Sequence, residues 1–92
     1  MTYTLAFSDR AEQHIAYWQR SGQIKTLAKI FRMLEELKEH PRTGTGKPEP
    51  LKEGLAGYWS RRIDKKNRLV YAIEDNVIAV DVVSARGHYD NK

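Results

Sequence analysis

The chain has 92 residues, with 16 Lys or Arg against 12 Asp or Glu, a formal net charge of +4, and no cysteine. A chain this short is expected to form one domain, residues 1–92, around a single core, and domains of this size often gain stability by pairing, so a homodimer is a fair expectation. The absence of cysteine excludes disulfides, thiolate nucleophiles and cysteine-ligated zinc. No run has the pattern of a secretory signal or the length of a membrane span, so a cytoplasmic protein with no membrane attachment is expected.

Taken in chain order, Tyr3, Leu5 and Phe7 alternate with Thr2, Thr4 and Ala6, the period of a strand. Ser8 is suited to cap a following helix, and Asp9 puts negative charge in its first turn. Ala11, Ile15 and Trp18 recur at helical spacing, and Ser21-Gly22 marks the helix end. Ile24, Leu27, Ala28, Ile30, Phe31, Leu34 and Leu37 form a second helical stripe. Lys25, Lys29, Arg32, Glu35, Glu36 and Glu39 mostly take its other face, and Pro41 ends it. Thr43 to Gly57, with four glycines and two prolines, reads as a loop long enough to carry function.

Tyr58–Ile63 and Leu69–Ile73 flank the polar turn Asp64-Lys65-Lys66-Asn67 and predict a hairpin. A second turn at Asp75-Asn76 leads to a last strand, Val77–Ser84, with Ile78, Val80 and Val82 on one face. The order β-α-α-β-β-β predicts an α+β domain in which two helices cover one face of a largely antiparallel sheet, leaving the other face open.

Charge is uneven along the chain. From Arg42 to Arg68 there are eight basic residues and three acidic ones, a net +5 against +4 for the whole chain, so the remainder sums to −1. Such an excess is the footprint of a nucleic-acid binder, though surface lysines and arginines alone can produce it. Strand parity puts Leu69, Tyr71 and Ile73 on the core face. Tyr58, Ser60 and Arg62 share one face of the preceding strand. In a regular hairpin Arg62 and Arg68 then project together from the open face, as a phosphate-binding pair or as two solvated arginines.

Among the histidines, His14 and His40 lie on the two predicted helices and read as structural or surface groups. His88 follows the last strand beside Tyr89 and two residues after Arg86, which suits a proton donor with a pKa near neutrality and equally suits an idle chain end. Glu49 stands between Pro48 and Pro50, with Lys47 and Lys52 close by, which describes either a presented carboxylate or an exposed loop Glu. No His or carboxylate spacing suggests a metal site, and no nucleophilic triad or phosphate-cradling glycine loop is present.

Four segments together carry a specific likeness: Gly46-Lys47-Pro48-Glu49-Pro50-Leu51-Lys52, Leu55 to Ile63 (LAGYWSRRI), Arg68-Leu69-Val70-Tyr71, and Arg86-Gly87-His88-Tyr89. With Tyr17-Trp18-Gln19 they resemble the YoeB/Txe toxins of bacterial toxin–antitoxin pairs, a branch of the RelE superfamily, over nearly the whole chain. The resemblance implies a microbial-RNase-like (RelE-like) fold and a metal-independent endoribonuclease, without cofactor, that cleaves mRNA in the ribosomal A site. It also implies neutralisation by a YefM-like antitoxin. By position Glu49 matches the general base, His88 the general acid and Arg68 the arginine that stabilises the transition state. Arg62, Lys52 and Tyr89 match supporting residues around the scissile phosphate, and Arg61 and Lys47 belong to the expected phosphate-binding set. The alternative is a non-catalytic basic protein that binds RNA or DNA, a degenerate relative of such toxins. The stretch from Arg68 to His88 is about two residues longer than the family implies, an even change that preserves parity in a regular strand.

Overall fold

The computed structural model describes residues 2–52 and 57–87. Strand β1 (Thr4–Phe7) leads into α1 (Asp9–Arg20) and α2 (Ile24–Glu39), followed by β2 (Glu49–Pro50), β3 (Tyr58–Arg62), β4 (Arg68–Glu74) and β5 (Ala79–Ser84). The sheet order is β1-β5-β4-β3-β2, with β1 parallel to β5 and every other pair antiparallel.

The ends of the helices follow from their residues. Ser8 Oγ accepts the Ala11 N–H at 3.0 Å, satisfying a donor that the first turn leaves free. Gly22, at φ +78°, takes the left-handed conformation that ends α1. The apolar faces of both helices meet one face of the sheet, where Trp18, Ile30, Met33 and Leu37 pack against Leu69, Tyr71, Val80 and Val82.

Four details differ from the sequence reading. The buried stripe of α2 is Ile30, Met33, Leu34 and Leu37. Ile24 and Phe31 are exposed, Phe31 lying with Leu5, Phe7 and Leu34 along a shallow groove between α2 and β1. Glu36 faces inward rather than outward, for a reason described below. The loop after α2 contains the two-residue strand β2. The last strand begins at Ala79, because Asp75–Val77 forms a turn of 3-10 helix and Ile78 adopts φ +52°. Left-handed backbone is unfavourable for a β-branched residue, and the turn is tied down by Asp75, whose carboxylate accepts from the Tyr3 hydroxyl at 2.8 Å and from Arg42 Nη2 at 2.7 Å.

Strand β5 is not regular either. Tyr71 pairs with Val82 but Val70 pairs with Ser84, so Val83 is an extra residue in a bulge that breaks the parity expected along this strand. Beyond it, α1 grips the chain. Ala85 N–H donates to His14 Nδ1 at 3.1 Å, and Trp18 Nε1 donates to Ala85 O at 2.8 Å. Both backbone polar groups of the buried Ala85 are thus satisfied by α1 side chains. Arg86 then stacks its guanidinium 3.6 Å from the centroid of the Tyr17 ring.

His14 can accept from Ala85 only while Nδ1 is unprotonated. Burial, followed by the charges of Arg10 and Arg86, lowers its pKa below the ordinary histidine value. The unfolded chain therefore protonates first as pH falls. The stability held by neutral His14 is complete above about pH 6.5 and is lost as pH drops through the lower folded-state value. Urea midpoints measured between pH 7.5 and 5 should fall on acidification, and His14→Gln should flatten that slope. Leu37→Ala, at a fully buried position, should cost about 2–5 kcal/mol in the same assay at neutral pH.

Candidate active site

The face of the sheet away from the helices is organised by register. Glu49 pairs with Ser60 and Ser60 with Val70, so these three side chains form one row across β2, β3 and β4. Arg62 pairs with Arg68 two residues along, on the same face. The hairpin parity read from the sequence is therefore the parity of the structure. Glu49 Oε2 comes within 3.9 Å of Arg68 Nη1, with Glu49 57% exposed and Arg68 19% exposed. Arg68 Nη1 and Ser60 Oγ are both buried without a hydrogen-bond partner among the described residues, so the row has unused donor capacity beside Glu49. Arg62 is exposed. Two like charges directly opposite on neighbouring strands are unfavourable in a bare sheet, and a bound anion relieves the repulsion.

Glu49 is held by backbone, not by chance loop geometry. Arg62 N–H donates to Gly46 O at 2.6 Å, and Leu51 N–H donates to Tyr58 O at 2.8 Å, so bonds to β3 lie on both sides of β2. Gly46 has φ +89°, and a Cβ there would meet Arg62 O at 2.8 Å and Met33 Sδ at 2.9 Å. No side chain fits at that approach. Lys47 follows at φ +52°, a left-handed residue that costs about 1–2 kcal/mol and turns the chain into Pro48-Glu49-Pro50. The prolines suit an edge strand because they offer no N–H to a further chain.

Lys47 and Lys52 are exposed residues flanking β2. His88 and Tyr89 lie outside the described residues. Gly87, directly before them in the chain, donates its N–H to Asn67 Oδ1 at 2.8 Å and accepts the Arg68 N–H at its carbonyl at 3.0 Å. The backbone leading to His88 is thereby joined to that of Arg68. The sequence reading missed Asn67, whose only signal is its place in a turn.

Arg61 departs from expectation. It was grouped with the phosphate-binding residues, but its side chain is fully buried on the opposite face. Its guanidinium is bonded to Glu36, to Tyr71 and to three loop carbonyls. A group so enclosed has nothing left to offer a phosphate. Parity already separates Arg61 from Arg62, and that signal outweighs the run of basic residues they share. The inward turn of Glu36 has the same origin, since a buried guanidinium requires a carboxylate partner. Burial opposes the charge on Glu36, but hydrogen bonds from Thr45 and Arg61 outweigh it and hold the carboxyl below the ordinary glutamate range. His14 and His40 take no part in the open-face row, His14 serving α1 and His40 lending its carbonyl to Arg61.

Comparison with known proteins places this geometry in a family. Residues 7–89 match the family model described as the YoeB-like toxin of bacterial type II toxin–antitoxin systems. The chain is 38% identical over 85 residues to toxin YoeB of Escherichia coli K12, covering 92% of this chain and 98% of that protein. Among solved structures, a YoeB/ParE toxin from Agrobacterium tumefaciens superposes with a TM-score of 0.86 at 36% identity, over 94% of this chain and 99% of that one. YoeB of Staphylococcus aureus matches as a dimer, with a TM-score of 0.82 at 34% identity, and in its complex with YefM, with 0.78 at 36%. In both cases 97% of this chain and all of the other are covered. The chain belongs to the YoeB-like toxins of bacterial type II toxin–antitoxin systems.

Proposed function

We propose that this toxin is a ribosome-dependent endoribonuclease that cuts mRNA in the A site of cytoplasmic ribosomes, and that a YefM-like antitoxin neutralises it. The observation that carries the reading is the approach of Glu49 to Arg68 on the sheet face away from the helices, 3.9 Å apart, with Arg62 paired to Arg68 in the register. That is a carboxylate beside cations, the set of groups that cleavage of RNA by its own 2′-hydroxyl requires. The antitoxin and the homodimer are supported by the Staphylococcus aureus relative, whose structures are a YoeB–YefM complex and a dimer.

RNA supplies its own nucleophile. Glu49 takes the proton of a 2′-hydroxyl, and the 2′-oxygen attacks the adjacent phosphorus. Negative charge grows on the non-bridging oxygens, where Arg68 and Arg62 are the cations to meet it. His88 protonates the departing 5′-oxygen as the P–O5′ bond breaks. One proton is taken and one returned, leaving a 2′,3′-cyclic phosphate and a 5′-hydroxyl end. Tyr89 supports the transferring phosphate, and Lys47 and Lys52 engage the RNA backbone beside it. Guanidinium is suited to this task because its planar fork spans two phosphate oxygens.

Primer extension on mRNA in a reconstituted translation reaction tests this directly. Discrete new 5′ ends that require ribosomes are expected from the wild type. Glu49→Gln should lower the cleavage rate by roughly 10²–10⁴-fold, with His88→Ala in the same direction. A 2′-deoxy nucleotide at the cut position should abolish the product. Binding without any cleavage would instead identify a non-catalytic RNA-binding protein. Arg62→Ala should weaken RNA binding across sequences and reduce the single-strand salt slope by about 0.7, measured by anisotropy at several salt concentrations.

A further inference from the structure

We propose that Arg61 is a positioning residue for the cleavage reaction, setting the place of Glu49 from the far side of the sheet. The inference rests on the reading of Glu49 as the base. Arg61 has five N–H donors, and the structure supplies five acceptors: Glu36 Oε1 at 2.6 Å, His40 O at 2.6 Å, Thr43 O at 2.8 Å, Thr45 O at 3.3 Å and Tyr71 Oη at 3.2 Å. Three of the five are carbonyls of the segment between α2 and β2, which has no ladder of its own to satisfy them. Tyr71 adds a fourth by donating its hydroxyl to Pro41 O at 2.7 Å. Glu36 closes the ring by accepting from Thr45 N at 2.8 Å and from Thr45 Oγ1 at 2.7 Å.

The clamp is continuous with the active-site row. Arg61 and Glu36 hold Thr45, and the next residue, Gly46, accepts the backbone N–H of Arg62. One residue of β3 therefore fixes the loop with its side chain, and the following residue fixes it with its backbone. Lys47 then makes the left-handed turn, and Glu49 enters its pairing with Ser60. Only three residues separate Thr45 from Glu49. Between Thr45 and β2, the Arg62–Gly46 bond is the one backbone hydrogen bond among the described residues that would still hold a loop freed at Thr45. Lysine cannot replace Arg61, since three donors on one nitrogen do not span acceptors arranged around a planar fork.

The test combines kinetics with amide exchange on the full chain. Arg61→Lys, Thr45→Val and Thr45→Ser are each made alone and with Glu49→Gln. Arg61→Lys is expected to lower kcat by up to about 10²-fold, the effect of a catalytic group displaced by roughly an ångström, with KM unchanged within about twofold. In the Glu49→Gln background it should lower kcat no further, because the two changes act through one carboxylate. Amides of Thr45, Leu51 and Arg62 should exchange at least about tenfold faster, while those of Tyr71 and Val82 stay protected. Thr45→Val should reproduce the pattern more weakly and Thr45→Ser should restore it, which keeps the test open if Arg61→Lys does not fold. Equal losses of kcat in both backgrounds, or faster exchange throughout the sheet, would overturn the proposal in favour of general destabilisation. Unchanged rate and exchange in Arg61→Lys and Thr45→Val would overturn it outright. If Glu49→Gln alone keeps the wild-type rate, it is the reading of Glu49 as base that fails, and the positioning role falls with it whatever the exchange data show.

Discussion

A guanidinium buried beneath the sheet is the constraint on which the rest of this structure depends. Taking a cation out of water is costly unless a counter-charge and a full set of acceptors replace the water. Irregular backbone has the opposite difficulty, since its carbonyls need donors that no ladder supplies. Arg61 and the segment from His40 to Thr45 resolve both at once. The result ties α2, through Glu36, to β3 and β4, through Arg61 and Tyr71. It also allows a loop of more than a dozen residues to behave as part of the scaffold at its first half.

The two faces of β3 consequently have different tasks. Arg61 satisfies the interior, and Arg62, its neighbour, faces outward opposite Arg68. The outward pair is electrostatically unfavourable by itself, and such unrelieved repulsion is common where a polyanion is to be held. Glu49 brings one carboxylate into this basic field from the edge strand. The field is assembled from three strands, a bulged fourth lies alongside, and the helices stay behind the sheet. The face that carries Glu49, Arg62 and Arg68 and the core that stabilises it are thus kept apart by a single layer of backbone.

Much of this was legible in the residues. The caps at Ser8 and Gly22, the stop at Pro41 and the hairpin around Asp64–Asn67 are local signals, and local structure obeyed them. Period-two alternation placed Arg62 and Arg68 on one face. The misreadings arise where partners are distant or backbone is irregular. Glu36 looked like one more solvated acid of α2 because helical periodicity cannot report a cation donated from a strand 25 residues away. Phe31 and Ile24 extend the apolar stripe of α2 in sequence but are exposed in the fold, since periodicity reports a face and not how much of it is covered. The bulge at Val83 and the left-handed Ile78 carry no residue signature, and both undo parity counted from one end. Arg61 departs from the phosphate-binding set because a run of basic residues does not report which face each takes, whereas parity sends Arg61 inward and Arg62 outward. The family resemblance supplies the pairing of Glu49 with His88, which spacing alone does not contain, and His88 lies outside the described residues.

The parallel pairing of β1 with β5 has a consequence in time. Leu5 finds its neighbour at Val80, and Phe7 at Val82, so the first strand made is completed by nearly the last. Contacts of such high sequence separation form late and slowly. During synthesis β1 has no strand partner until β5 has been made. The sheet is thus closed by its first strand only once β5 exists to receive it, so the strand made earliest is among the last to find its place.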